Sequence, residues 1–243
     1  MGLSNCSSPL KIEVSLTPAL YPCRTLTAGH VTVAIDLLRA TTAVCAAFQA
    51  GCDEVIPLDT LEGIADYRRQ GYLIAAERGG AKVEGAEYGN SPTEYLRHDM
   101  RGIRLAYSTT NGTISILRGA DADLTLVGSF ANLSALCDRL QREQKDVVLL
   151  CSGWQNDFCI EDTLVAGALI EKLTTHSIHG DAAHMAFALW QLAKEDPYAY
   201  CQRCTHVHRL YGFGAADDVR FAFRQDTCPV VPTLKDGKLI LNS

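Results

Sequence analysis

The sequence predicts an α/β fold: a three-layer α/β/α arrangement with a largely parallel or mixed sheet, finished by C-terminal helices and a hairpin. Three observations carry this. Short apolar, β-branched runs alternate with segments of helical periodicity along most of the chain. The strand-like runs are apolar on both faces, as in strands covered by helices on two sides. The 243 residues, 47% hydrophobic and 21% charged, are ordinary for a globular protein and argue against disorder.

Taken in order, His30–Ile35 reads as a strand and Ala40–Ala50 as the helix after it. Glu54–Leu58 is a strand, followed by a helix over Leu61–Gln70, with Asp59-Thr60-Leu61-Glu62 offering Asp59 as cap. Leu73–Ala76 is a strand. Pro92–Arg97 is a short helix opened by the capping box Ser91-Pro92-Thr93-Glu94, with Pro at the first helical position. Three further strand–helix units follow: Ile103–Ser108 with Thr113–Arg118, Leu124–Gly128 with Leu133–Gln144, and Val147–Cys151 with Glu161–Leu173. Beyond residue 180, Asp181–Lys194 and Tyr198–Leu210 read as helices separated by Asp196-Pro197. Pro229–Thr233 and Lys238–Leu241 form a hairpin about an Asp236-Gly237 turn. No Pro-, Gly- or Ser-rich linker divides the chain. A single domain over 1–243 is expected, with two tightly joined α/β lobes as the alternative.

Lys plus Arg number 22 and Asp plus Glu 28, a net charge of −6, which argues against a general nucleic-acid or anionic-membrane binder. No stretch is long and apolar enough to span a bilayer. Met1–Cys6 lacks the charged and apolar regions of a secretory signal, and Cys6 stands where a myristoylation signal wants Ser or Thr. A cytoplasmic chain with reduced thiols is expected. Of ten cysteines, Cys45, Cys52, Cys137 and Cys151 lie in apolar segments and read as core. Cys201-Gln-Arg-Cys204-Thr-His206-Val-His208 has the look of a zinc site, yet its histidines are one residue apart rather than the usual three to five. Read as one helix, it puts Cys201 and Cys204 on a shared face and points His206 and His208 apart. A thiol-bearing helix is the expectation; zinc and a redox pair are its alternatives.

Ligands of open α/β sheets bind outside the carboxyl ends of the strands. Here those ends deliver Asp36, Arg39, Thr41 and Thr42; Glu77 and Arg78; Thr109 to Thr113; Ser129 and Asn132; and Ser152, with Glu161 and Asp162 beyond. Free N–H groups and hydroxyls beside glycine suit anions, and Arg39 and Arg78 can each clasp a phosphate or carboxylate. Asp36, Glu77, Glu161 and Asp162 offer the hard oxygens that Mg2+ prefers. Each feature also has a plain structural explanation: Asp36 as a helix cap, Asn111-Gly112 as a turn, Glu161 and Asp162 as first-turn acids. Together they point to a small anionic phosphorylated substrate.

Ile35-Asp36-Leu37-Leu38-Arg39-Ala40-Thr41-Thr42 resembles the signature of the 2-phosphosulfolactate phosphatase family. Glu77-Arg78, Gly89-Asn90-Ser91-Pro92, Thr109-Thr110-Asn111-Gly112-Thr113, Gly128-Ser129-Phe130-Ala131-Asn132, Cys151-Ser152-Gly153 and Glu161-Asp162-Thr163-Leu164 follow in order, as do His206-Val207-His208-Arg209-Leu210 and Asp217-Asp218-Val219. Trp154-Gln155-Asn156-Asp157 and His206-Val207-His208 depart from the family's pattern. The resemblance implies a Mg2+-dependent hydrolase that converts 2-phospho-3-sulfolactate to 3-sulfolactate and phosphate, a step of coenzyme M synthesis in methanogens; the alternatives are a phosphatase of the same family acting on another small phosphorylated carboxylic acid and a non-catalytic anion-binding relative. On this reading Asp36, Glu161 and Asp162 hold the metal, and Asp36, Arg39, Asn111, Thr113 and Asp162 act in catalysis. Thr41, Arg78, Asn90, Gly112, Ser129, Asn132 and Ser152 contact substrate. Water and a protein nucleophile both remain open; Asp36 is the first protein candidate, ahead of Cys151 and Ser152. A homo-oligomer is compatible with the sequence.

Overall fold

The structure, a computed structural model, describes residues 9–155 and 157–241. The Met1–Cys6 segment considered above for targeting lies outside these residues. In chain order the elements are β1 (Leu10–Ser15), β2 (His30–Ile35), α1 (Ala40–Gln49), β3 (Glu54–Leu58), α2 (Ile64–Arg69), β4 (Leu73–Arg78), β5 (Ala81–Lys82), α3 (Pro92–Tyr95) and β6 (Arg104–Ser108). They continue with α4 (Gly112–Arg118), β7 (Leu124–Gly128), α5 (Leu133–Glu143), β8 (Asp146–Cys151), α6 (Ile160–Lys172), β9 (His176–Ile178), α7 (Asp181–Ala193), α8 (Pro197–Cys201), α9 (Thr205–Gly212), α10 (Ala216–Ala222), β10 (Pro232–Lys235) and β11 (Lys238–Leu241).

The strands form one mixed sheet in the order β5-β4-β6-β3-β11-β10-β7-β2-β8-β1-β9. β4, β6 and β3 make one parallel group; β7, β2, β8, β1 and β9 make the other. The C-terminal hairpin lies between them, β11 antiparallel to β3 and β10 antiparallel to β7. Its turn is the expected Asp236-Gly237, both residues at positive φ (50° and 78°), the conformation a two-residue hairpin of this kind requires.

β2 is buried at every position. Val31, Val33 and Ile35 face a core shared with Leu149, Leu164 and Trp190, whereas Ala34 faces the opposite core with Val44, Leu105 and Tyr107. Alternation to two apolar faces explains why the strand reads as an unbroken apolar run. The two cores lie on either side of the sheet, which gives the three layers.

Several sequence expectations need correction. Leu61–Gln70 starts three residues late: Gly63, at φ 74°, precedes Ile64, and Thr60 Oγ1 rather than Asp59 takes a local amide, from Glu62 (3.3 Å). Tyr198–Leu210 is two helices. Cys204 is extended (φ −81°, ψ 135°), so α8 ends at Cys201 and α9 sets off in a new direction from Thr205. The strands β1, β5 and β9 and the helix α10 were not anticipated. The Ser91 cap is as expected, its hydroxyl accepting the Glu94 amide at 3.2 Å. Among the described residues no helix is long and apolar enough to cross a membrane.

Candidate active site

Asp36 follows β2 directly, and the chain then tightens around it. Thr41 locks this turn: its Oγ1 accepts the Asp36 amide (3.0 Å) and donates to the Asp36 carbonyl (2.8 Å). Asp36 Oδ1 accepts the amide of Ala40, opening α1 (3.2 Å). A Cβ added at Gly112 would come within 2.7 Å of Asp36 Oδ2 and collide with Ala40, so only glycine lets the start of α4 approach the carboxylate this closely. The loop after β2 and the start of α4 are thus in direct contact, although four strands separate β2 from β6 in the sheet.

On the opposite wall Glu77, at the end of β4, accepts the amide of Gly80 and the Thr110 hydroxyl (3.3 Å), with Asn90 Nδ2 at 3.5 Å. Arg39 is clamped by Asp218 (Nη1–Oδ2 2.9 Å) and the Gly80 carbonyl (Nη2, 2.7 Å). Asp218 also accepts the hydroxyls of Ser91 and Thr93, so α10 and α3 fix this guanidinium through a buried ion pair. Arg39 Nε and Asn90 Oδ1 remain buried without a protein partner. Such orphans are rare unless another group satisfies them.

These residues enclose a cleft walled by Asp36, Arg39, Glu77, Asn90, Thr110 and Asn111 and closed by Trp154, His206 and Arg209. Asp36 and Asn111, distant in the chain, therefore share one cavity. Trp154 stacks on His206 (centroids 6.1 Å apart, planes at 13°), and the Arg209 guanidinium lies over Trp154 (5.1 Å). Burial, with further contributions from Glu77 and Glu161, pushes Asp36 up to about 6, although His206 acts against it.

The structure brings Asp36, Arg39, Asn90 and Asn111 together as expected, with Gly112 against them. It sends the other expected residues elsewhere. Thr41 acts on the Asp36 backbone rather than on a ligand. Thr113 is fully buried and exchanges hydrogen bonds with Thr109. Arg78 turns from the cleft to the Glu77 carbonyl (2.6 Å) and Ser108 Oγ (2.7 Å). Ser129 caps a 3-10 turn by accepting the Ala131 amide (3.0 Å). Asn132 accepts from the Ser129 amide (3.0 Å) and donates to the Val127 and Val230 carbonyls. Ser152 donates to Ser115 (2.7 Å).

Of the three carboxylates expected to hold a cation, only Asp36 lines the cleft. Asp162 accepts the amides of Leu37 (2.8 Å) and Gly153 (3.0 Å), fastening the loops after β2 and β8. Burial, with Asp36 and Glu161 nearby, raises its proton affinity. Glu161 accepts from His206 Nδ1 (2.7 Å) and faces a different cavity. His206 and Arg209 are the contributions that strand-end reasoning missed. Their i, i+3 spacing on α9 puts them on one face, and that spacing was the available signal. The Cys204 amide donates to the Cys201 carbonyl (2.9 Å) and both thiols are buried, while His206 faces the cleft and His208 is exposed.

The profile of 2-phosphosulpholactate phosphatase matches residues 16–237. The chain belongs to this family. It is 33% identical to the probable 2-phosphosulfolactate phosphatase of Thermotoga maritima over 231 residues, covering 95% of this chain and 98% of the relative. The Thermotoga petrophila protein of the same name is 35% identical with the same coverage, and the Microcystis aeruginosa one is 33% identical over 241 residues, 96% and 99% of the two chains. Asp36, Leu38 and Arg39 thus form one wall of the cleft, and His206, Arg209 and Leu210 form its roof.

Proposed function

We propose that this member of the family is a Mg2+-dependent phosphatase that hydrolyses 2-phospho-3-sulfolactate to 3-sulfolactate and phosphate. The observation that carries the reading is the composition of the cleft. Two buried carboxylates, Asp36 and Glu77, line it together with two guanidinium groups, Arg39 and Arg209, and the amide side chains of Asn90 and Asn111. The carboxylates suit a hard cation and the nitrogens suit a multiply charged anion.

Mg2+ fits this donor set: Asp36 and Glu77 would be its oxygen ligands, and burial, with Glu77 and Glu161 nearby, raises the proton affinity of Asp36, which a cation would offset. When bound there, Mg2+ neutralises phosphoryl charge. The protein's own groups do the rest. Arg39, with its two Nη atoms already engaged, keeps Nε for an anion oxygen. Arg209 and Asn111 approach the same anion from the roof and from the start of α4. Trp154, stacked on His206, limits water entry. Asp36 is the protein nucleophile of the cleft if a phosphoenzyme forms. Cys151 is fully buried and its thiol is held protonated by burial, and the Ser152 hydroxyl is engaged by Ser115. The reaction belongs in the cytoplasm, as the sulfolactate-yielding step of coenzyme M synthesis where that pathway operates.

Phosphate release from 2-phospho-3-sulfolactate, abolished by EDTA and restored by Mg2+, is the expected result. A panel of small phosphorylated acids tests the substrate. Should phosphosulfolactate rank below ordinary phosphomonoesters, the named substrate is wrong and a relative of it is the true one.

A further inference from the structure

His206 has a second side. Beyond it lies a larger cavity, walled among others by Trp154, Phe158, Cys159, Glu161 and Cys204. At its inner end the Cys159 sulfur, a Glu161 carboxylate oxygen and a His206 ring nitrogen all lie within 4.8 Å of one another, the only three-residue donor group this compact among the described residues. Cys159 sits in extended backbone just before α6 and Glu161 in its first turn, so both project from one short segment. His206 reaches them from the first turn of α9 because the chain breaks at Cys204. Cys159 and Glu161 are 7% and 1% exposed.

We propose that Cys159, Glu161 and His206 form a second cation site, for a zinc-class divalent ion, separate from the hard-oxygen cleft. A thiolate, an imidazole and one carboxylate make a softer set than Mg2+ accepts, and they match the ligands of zinc and its neighbours. Three protein donors leave one position for water or an anion, and the cavity gives access to it. On binding, the Cys159 thiol proton leaves to solvent, and the ligating nitrogen of His206 carries no proton. The hydrogen bond between His206 and Glu161 (2.7 Å) already holds two of the donors face to face. Because His206 also walls the phosphate cleft, an ion here restrains the ring that closes it.

The test is Co2+ titration of the chelator-treated full-length protein under reducing conditions. One Co2+ per chain is expected to give a near-ultraviolet sulfur-to-cobalt charge-transfer band, displaced by Zn2+ and not by excess Mg2+. Cys159→Ser should lose the band with an unchanged melting temperature, and Glu161→Gln or His206→Gln should weaken binding about tenfold or more. Zinc-edge X-ray absorption of the unmutated protein should show one sulfur neighbour. No band, or a band that survives Cys159→Ser, overturns the site. Two sulfur neighbours would move the ion to the Cys201–Cys204 pair and overturn it equally. None of these readouts requires turnover, so the phosphatase reading stands or falls separately.

Discussion

Two stretches of the same sheet rim carry similar residues and do different things. At the ends of β7 and β8, the polar side chains of Ser129, Asn132 and Ser152 are buried and every hydrogen bond is returned by the protein itself. At the ends of β2, β4 and β6, Asp36, Arg39, Glu77 and Asn90 are equally buried, yet Arg39 Nε and Asn90 Oδ1 have no protein partner and two carboxylates face each other across a cavity. Residue type does not separate the two regions. What separates them is hydrogen-bonding and charge capacity left unspent at the cleft.

The contrast is sharpest in Asp36→Asn. Turnover should fall roughly 10^3-fold in a steady-state phosphate-release assay. Stability should move the other way. The folded-state pKa is raised to about 6 from 3.8, so the ionised carboxylate opposes folding above that range and the protonated acid does not below it. The variant should therefore melt higher than the parent at pH 8, and the gap should narrow as pH falls from about 6 toward 3.8. A variant that melts lower at pH 8 would place Asp36 in the closed region.

Asn132→Ala reverses the pattern. It strands the Val127 and Val230 carbonyls and the Ser129 amide, at a cost of about 3 kcal/mol in denaturant unfolding. The folded fraction should keep its KM; a large KM change would bring the β7 end into substrate binding. Gly112→Ala sits between the regions. Its Cβ must displace Ala40 and the Asp36 carboxylate, costing about 2 kcal/mol and lowering kcat as well. Loss of stability without loss of kcat would show that the close approach of α4 is packing alone. Ser152→Ala is the mildest: losing the bond to Ser115 should cost about 1 kcal/mol, with kcat/KM unaltered.

Much of the α/β frame was legible because its strands are buried on both faces and read as apolar runs. β1 was not. Leu10-Lys-Ile-Glu-Val-Ser alternates like an exposed strand, because Lys11 and Glu13 lie at partly covered positions near the sheet edge, and its place between β8 and β9 comes from pairing with both and from Ile12 and Val14 packed in the core. The rim was legible as a list of strand-end residues. Its division into open and closed parts was not, since the partners that close Asn132 and clamp Arg39, Val230 and Asp218, lie 98 and 179 positions away. The roof was not legible because Tyr198–Leu210 has no turn residue to mark the break: the turn at Gln202–Cys204 starts α9 in the direction that brings His206 and Arg209 to the cleft.

The most direct test is a crystal structure of the protein with Mg2+ and phosphate. The anion should lie in the cleft against Arg39 and Asn111, with the cation on Asp36 and Glu77. An anion held instead by Ser129 and Ser152, with the cleft filled only by water, would contradict the account.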